Sequence, residues 1–419
     1  MGIGMDQRRV EAIDAEQAPE DELFEFLLGR IDASLRSGEG PHFTYIIGNN
    51  GTGKSRQLAK IADHFTDEHD TPRIIGCISN AVYDRFTLTS RGRIEYLGAR
   101  TSGNAVFHAA IDRQLSKIIL KGILRNKSVV RRLEKTLGMD FMFSMRAVQS
   151  GKIDLQKLVD RRKLKGSSIS SFLSRAEQDV VKGFLGRQVR FSGLSREQAT
   201  AVQTFLDLNP DVRIFVRRHD DRRSTIDFGQ LSTGEQNRAL TYAKVLSVVQ
   251  AGALILIDEP EISLHLHWQM DFHRSLCQLL EGYKRYHVVI ATHSPVILSE
   301  GAKSGSNDAL VVVLDRQEQA KAATLSFRHH KFGDIASHER LVLKDFNTAT
   351  YHTAAVDVEI AESVLDAVEH PSTISHIVAK LESMTSKLGL SSEDERNIRA
   401  AVKIVRKHAP TIGAKETGQ

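Results

Sequence analysis

Apolar positions along this chain follow two rhythms. Leu23, Phe24, Leu27, Leu28, Ile31 and Leu35 recur three and four residues apart. That is the spacing of one helix face, and it predicts a helix over residues 20–35. Ser37-Gly38-Glu39-Gly40-Pro41 ends it. Short apolar or alternating stretches at 43–47, 73–78, 212–216, 224–228, 253–257, 287–291 and 309–314 read as strands. A helix is expected to begin at Lys54 and carry Leu58, Ile61 and Ala62 inward, and another to cover 236–249. From 107 to about 203 the chain is rich in Lys, Arg, Leu and Ile, free of proline, and reads as mostly helical without sustained heptads. Beyond residue 341 the pattern is helical again, with acids at Asp357, Glu359, Glu362 and Asp366. Residues from Pro410 onward are expected to be loose. The expectation is an α/β fold divided at 1–106, 107–205, 206–340 and 341–419.

Charge changes that picture in one place. The whole chain of 419 residues carries a formal +5. Residues 101–200 hold 20 Lys and Arg against 8 Asp and Glu, a surplus of 12, which leaves the remainder at −7. Such asymmetry fits a polyanion partner, DNA or another nucleic acid, or a solvated helical insertion. Two cysteines, Cys77 and Cys277, fit a reducing compartment and exclude a disulfide scaffold. No apolar run approaches the roughly 20 residues that cross a bilayer. The N-terminal residues lack the apolar core of a signal peptide, and Asp6 stands where a myristoylation signal needs Ser or Thr. The cytoplasm is the expected location, with no membrane partner.

Candidate chemistry lies at the strand ends. Gly48-Asn49-Asn50-Gly51-Thr52-Gly53-Lys54-Ser55 follows one predicted strand and opens a predicted helix. This is the Walker A pattern: glycines turn backbone N–H groups inward and a helix N-terminus faces the phosphates. Lys54 is expected to reach the β- and γ-phosphates of ATP, and Ser55 to hold Mg²⁺. Leu254-Ile255-Leu256-Ile257-Asp258-Glu259 is a Walker B strand. Asp258 would organise Mg²⁺, and Glu259 would polarise the attacking water. His293 ends another strand, 34 residues after Glu259, in Ala291-Thr292-His293-Ser294-Pro295. His265, His267 and His273 invite a metal reading, but no Cys or further carboxylate completes a ligand set.

Leu231-Ser232-Thr233-Gly234-Glu235-Gln236 lies between the two Walker motifs. A serine before a helix is an ordinary N-cap. In this order, however, the chain resembles the ABC-type ATPases. The stretch Asp258-Glu259-Pro260-Glu261-Ile262-Ser263-Leu264-His265, followed by Gln269, is similar to the RecF-like and OLD-like group that handles DNA or serves in phage defence. The resemblance covers residues 43 to about 315. It implies an ABC ATPase-type P-loop fold with a mixed sheet, a helical insertion and a C-terminal helical segment. It implies that Ser232, Gly234 and Glu235 complete the ATP site of a second copy, that His293 senses the γ-phosphate, and that His265 crosses the interface of a homodimer or higher homo-oligomer. Leu266 departs from the proline usual at that position. The glutamine of the Q-loop has only weak candidates, Gln114 and Gln149. No adenine-stacking aromatic is evident, although Phe43 and Tyr45 lie near. The acidic pattern of a TOPRIM nuclease is not legible after Leu341, which points to a separate effector nuclease. A RecF-like DNA clamp is the alternative.

Overall fold

The computed structural model describes residues 4–37, 41–65, 72–81, 84–87, 92–98, 108–145, 168–208, 211–221, 223–298, 309–319, 322–331 and parts of 360–407. Chain order in the first half is α1 (Gly4–Ser37), β1 (Pro41–Gly48), α2 (Lys54–His64), β2 (Ile74–Ser79), β3 (Ile94–Leu97), α3 (His108–Arg125), α4 (Val129–Leu137), β4 (Met139–Met145), α5 (Arg175–Phe184), β5 (Gln188–Arg190) and α6 (Arg196–Asp207). There follow β6 (Val212–Arg218), β7 (Ile226–Asp227), α7 (Thr233–Val248), β8 (Ala253–Asp258), α8 (Leu266–Met270), α9 (Phe272–Leu280), β9 (Tyr286–Thr292), β10 (Ala309–Gln319), β11 (Ala322–Lys331), α10 (Ile374–Thr385) and α11 (Ser392–Lys407).

Seven strands form one sheet in the order β11-β10-β1-β9-β8-β2-β3. Every neighbour pair is parallel except β10 with β11, so the sheet is mixed. The middle strands are largely apolar and buried because helices cover both faces. Ile46, Leu254, Leu256, Val289 and Val312 pack with Leu23, Leu27 and Ile31 of α1 and Leu58 and Ile61 of α2. The alternate residues Ile47, Ile255, Ile257, Val288 and Val311 join Leu115, Ile119, Tyr242 and Val245 on the other face. Period-two side-chain alternation thus divides one sheet between two helical layers.

A second, antiparallel sheet has the order β5-β4-β6-β7. The 107–203 stretch, expected to be mostly helical, therefore also contains strands. Met139, Phe141, Phe143 and Met145 alternate with period two and are all buried. Seven residues between helices are too short for that alternation to stand out from the helical rhythm. The boundary expected at 205 falls inside this sheet, because β4 pairs along its length with β6. The strand expected over 224–228 is only Ile226–Asp227, followed by a 3₁₀ turn. The helix expected from 236 begins at Thr233. Strands β3 and β11 have no counterpart among the expected strands.

Near the C-terminus α10 and α11 pack on each other through Ile377, Leu381, Ile398 and Val405. The acids Asp357, Glu359, Glu362 and Asp366, the candidate Gln149, and residues from 410 onward lie outside the described residues. Among the described residues, no helix is long and apolar enough to cross a membrane.

Candidate functional site

Register places the chemistry along one edge. Ile47 pairs with Thr292, Ala291 with Asp258, and Asp258 with Ser79. The C-terminal ends of β1, β9, β8 and β2 therefore lie side by side, where parallel α/β sheets bind ligands. The loop after β1 is built for close approach. Gly48 has φ 151°, and a Cβ there would lie 2.5 Å from the Leu314 carbonyl oxygen. Thr52 Oγ1 donates to the Asn49 carbonyl at 2.9 Å and steadies the turn. The ammonium of Lys54 donates to the carbonyls of Gly48 at 2.7 Å and Asn49 at 3.0 Å. Burial lowers its pKa, and the carboxylates of Glu259, Glu261 and Asp258 oppose that shift.

Ser55 Oγ donates to Asp258 Oδ1 at 2.9 Å. Burial pushes the Asp258 carboxyl up to about 7, and the Ser55 bond works against the rise. A hydroxyl and a carboxylate side by side are hard oxygen donors that fit Mg²⁺, which takes few protein ligands and fills its other positions from phosphate and water. Glu259 follows in a left-handed conformation, φ 47°, with its N–H bonded to the Ala291 carbonyl at 2.9 Å. A non-glycine residue held there stores strain, as functional sites often do.

His293 is held by Glu261, a residue whose sequence context assigns it no role. Glu261 Oε1 accepts the His293 backbone N–H at 2.7 Å and lies 2.9 Å from its Nδ1. Glu259 Oε1 is 4.0 Å from the same nitrogen. The bond to Glu261 raises the His293 pKa, burial opposes it, and both carboxylates add to the rise. With Nδ1 committed, Nε2 is the nitrogen left for a ligand. Ser294 Oγ donates to Gln269 Oε1 at 2.7 Å, tying the same strand end to α8.

Residues 143–299, which span the signature, Walker B and His293, match the family model described as "AAA domain, putative AbiEii toxin, Type IV TA system". That stretch is similar to the ATPase domain of this family. A 75-residue stretch is 39% identical to protein ea59 of Escherichia phage lambda. That match covers 18% of this chain and only 14% of the relative's length. Among solved structures, "a putative metal-chelate type ABC transporter" in an inward-facing conformation is similar at 13% identity and a TM-score of 0.26, over 69% of this chain and 86% of that one. The Smc head bound to the C-winged helix domain of ScpA is similar at 12% identity and a TM-score of 0.27, over 68% and 90%.

Within that matched stretch, Ser232 caps the start of α7. Ser232 and Glu235 form a capping box: Ser232 Oγ accepts the Glu235 N–H at 3.3 Å, and Glu235 Oε2 accepts the Ser232 N–H at 3.0 Å. Glu235 also pairs with Arg218. A Cβ on Gly234 would lie 2.7 Å from the Ser263 carbonyl oxygen and 2.8 Å from the Trp268 ring. The signature glycine thus meets, in its own chain, the segment that follows Walker B. A pocket of about 320 Å³ is lined by Walker A residues, Arg56, Arg85 and Glu259, and by none of Ser232, Gly234 or Glu235.

Phe43 and Tyr45, the aromatics nearest Walker A in sequence, are fully buried and cannot stack on adenine. Phe43 packs edge-on against His273 and Tyr286, and Tyr45 Oη is 2.7 Å from His273 Nδ1. His273 is itself buried, and burial lowers its pKa to about 4, whereas His265 and His267 are exposed. Leu266 stands at the first position of α8. That is the helical position where proline is tolerated rather than required, so the turn forms without it. Gln114 lies within α3.

A second link has no signal in the sequence. At the end of β2, Asn80 Nδ2 donates to Thr241 Oγ1 of α7 at 2.7 Å. Lys244 of α7 donates to the Ser79 carbonyl and to Asn80 Oδ1, each at 3.1 Å. Burial lowers the Lys244 pKa to about 8. These bonds join the signature helix to the phosphate edge. A lysine in the middle of a helix reads, in sequence, as an ordinary solvated side chain.

Proposed function

We propose that the protein is an ATP phosphohydrolase whose site is completed by the signature of a second copy. It acts in the cytoplasm as the sensor and scaffold subunit of a bacterial anti-phage system and controls a separate effector nuclease. The observation that carries the paired site is the pocket itself. Its lining is Walker A residues, Arg56, Arg85 and Glu259, and includes none of Ser232, Gly234 or Glu235. A signature outside the lining of its own chain's pocket supports a site completed by another copy.

Asn49, Asn50, Gly51, Thr52 and Gly53 wrap the phosphates, and Lys54 exchanges the Gly48 and Asn49 carbonyls for phosphate oxygens. Ser55 and Asp258 would hold Mg²⁺, which neutralises charge on the phosphates. Glu259 takes a proton from the attacking water. Glu261 fixes His293 so that Nε2 faces the γ-phosphate. ATP favours the closed pair because only that state offers the contacts of Ser232 and Gly234, and hydrolysis withdraws them. The defence role draws on the matched family's description, which names a toxin of a type IV TA system.

A DNA clamp is the second reading, favoured by the basic surplus over 101–200. Several basic side chains there are already paired, Lys117 with Asp207, Lys121 and Arg125 with Glu95, and Arg190 with Asp140. That weighs toward the first reading. Glu259→Gln should accumulate an ATP-dependent dimer or larger assembly in sedimentation, and should co-purify with the neighbouring gene product. An assembly state indifferent to ATP counts against the paired site. DNA binding with a steep salt slope and no protein partner would favour the clamp.

A further inference from the structure

We propose that Arg85 is a phosphate-binding arm of the ATP site, supplied by the segment after β2 and by none of the motifs. This deepens the reading of the Walker A pocket as an ATP site and rests on it.

Two arginines line that pocket, Arg56 and Arg85. They differ in what they already hold. Arg56 pairs with Glu20 at 3.2 Å. Arg85 has no ion pair or hydrogen bond to any described residue. It is exposed, yet its neighbours on both sides are pinned. Asp84 is 5% exposed and accepts the Tyr96 hydroxyl at 2.8 Å and the Phe86 N–H at 3.1 Å. Phe86 is 3% exposed and packs with Cys77, Ile94 and Tyr96 beside β2. An exposed arginine between two buried anchors is presented at a fixed place, which reduces the entropy it gives up on binding.

The local charge gives that cation a task. Lys54 stands among Asp258, Glu259 and Glu261, all of which act on it electrostatically. Glu259 lines the pocket beside Lys54, and a further cation there offsets its repulsion of a triphosphate. β2 is the neighbour of β8, at whose end Glu259 sits, and Arg85 lines the same pocket as Glu259. A guanidinium there can hold two terminal phosphate oxygens at once, which a lysine cannot reproduce.

The test is ATP and ADP affinity of the full chain, by calorimetry, for Arg85→Met, Arg85→Lys and Lys54→Ala. Arg85→Met should weaken ATP on the order of tenfold, because it removes a charge-assisted hydrogen bond to phosphate. The weakening should be larger for ATP than for ADP, and Arg85→Lys should recover part of it. Unfolding midpoints should match wild type, since the side chain is exposed. Met and Lys variants that bind ATP equally, or an Arg85→Met as tight as wild type beside a defective Lys54→Ala, would overturn the proposal. A Lys54→Ala that binds normally would remove the ATP site itself, and the proposal with it.

Discussion

Replacing Glu261 by Gln should slow hydrolysis without touching the Walker motifs. Glu261 is 6% exposed, accepts the His293 backbone N–H at 2.7 Å, and sits 2.9 Å from Nδ1. Glutamine keeps the volume and one acceptor but removes the charge. A hydrogen bond to a charged group contributes about 1.5–3 kcal/mol. Because the His293 side chain is 45% exposed, solvent screening leaves the lower end, ~1.5 kcal/mol. If that energy positions His293 in the transition state, single-turnover hydrolysis should fall about tenfold with ATP affinity little changed. The pH dependence has a defined sign. Glu261 raises the His293 pKa above its ordinary value. The pair therefore stabilises the fold fully below that ordinary value, and its contribution fades as pH rises through the folded one. In Glu261→Gln the NMR titration of His293 should move down, and the slope of unfolding free energy near neutral pH should flatten. An unchanged His293 titration, or an unchanged rate, would show that the pair is a bystander.

Gly234→Ala should destabilise the chain by about 1–3 kcal/mol even in a Lys54→Ala background without nucleotide, because the added methyl meets Ser263 and Trp268; an unchanged urea midpoint would refute that packing. Lys244→Met should cost about 1–3 kcal/mol by leaving Asn80 Oδ1 and the Ser79 carbonyl unpaired. The folded pKa of Lys244 is depressed to about 8, so wild-type stability should gain from this group as pH rises from there toward the ordinary lysine value. The Met variant should lack that gain, and an identical slope in both would contradict the assignment.

The phosphate edge was legible because its motifs are local. Gly48 to Ser55, Asp258, Glu259 and His293 each end a strand whose aliphatic run marks it, and the sheet sets those ends side by side. The residues without a sequence signal act across the fold. Glu261 matters because β9 returns His293 to it, 32 positions later in the chain. Asn80 and Lys244 meet across 164 positions, and neither has a distinctive neighbour in sequence. Arg85 is visible only once the segment after β2 is seen to line the pocket. The small sheet was hidden for a related reason. Its strands are short, and β4 finds its partner β6 beyond two helices and a further strand, so the period-two signal of Phe141 and Phe143 was absorbed into the helical stretch around it.

The claim that two copies share each ATP is tested most directly by mixing two inactive variants. Lys54→Ala disables Walker A and keeps its signature; Ser232→Arg disables the signature and keeps Walker A. Each alone should be inactive. Mixed in equal amounts, half the dimers pair unlike chains and carry one complete site, so hydrolysis should return to roughly a quarter of wild type. A mixture as silent as its parts, or a Ser232→Arg chain that hydrolyses ATP unaided, would contradict the account.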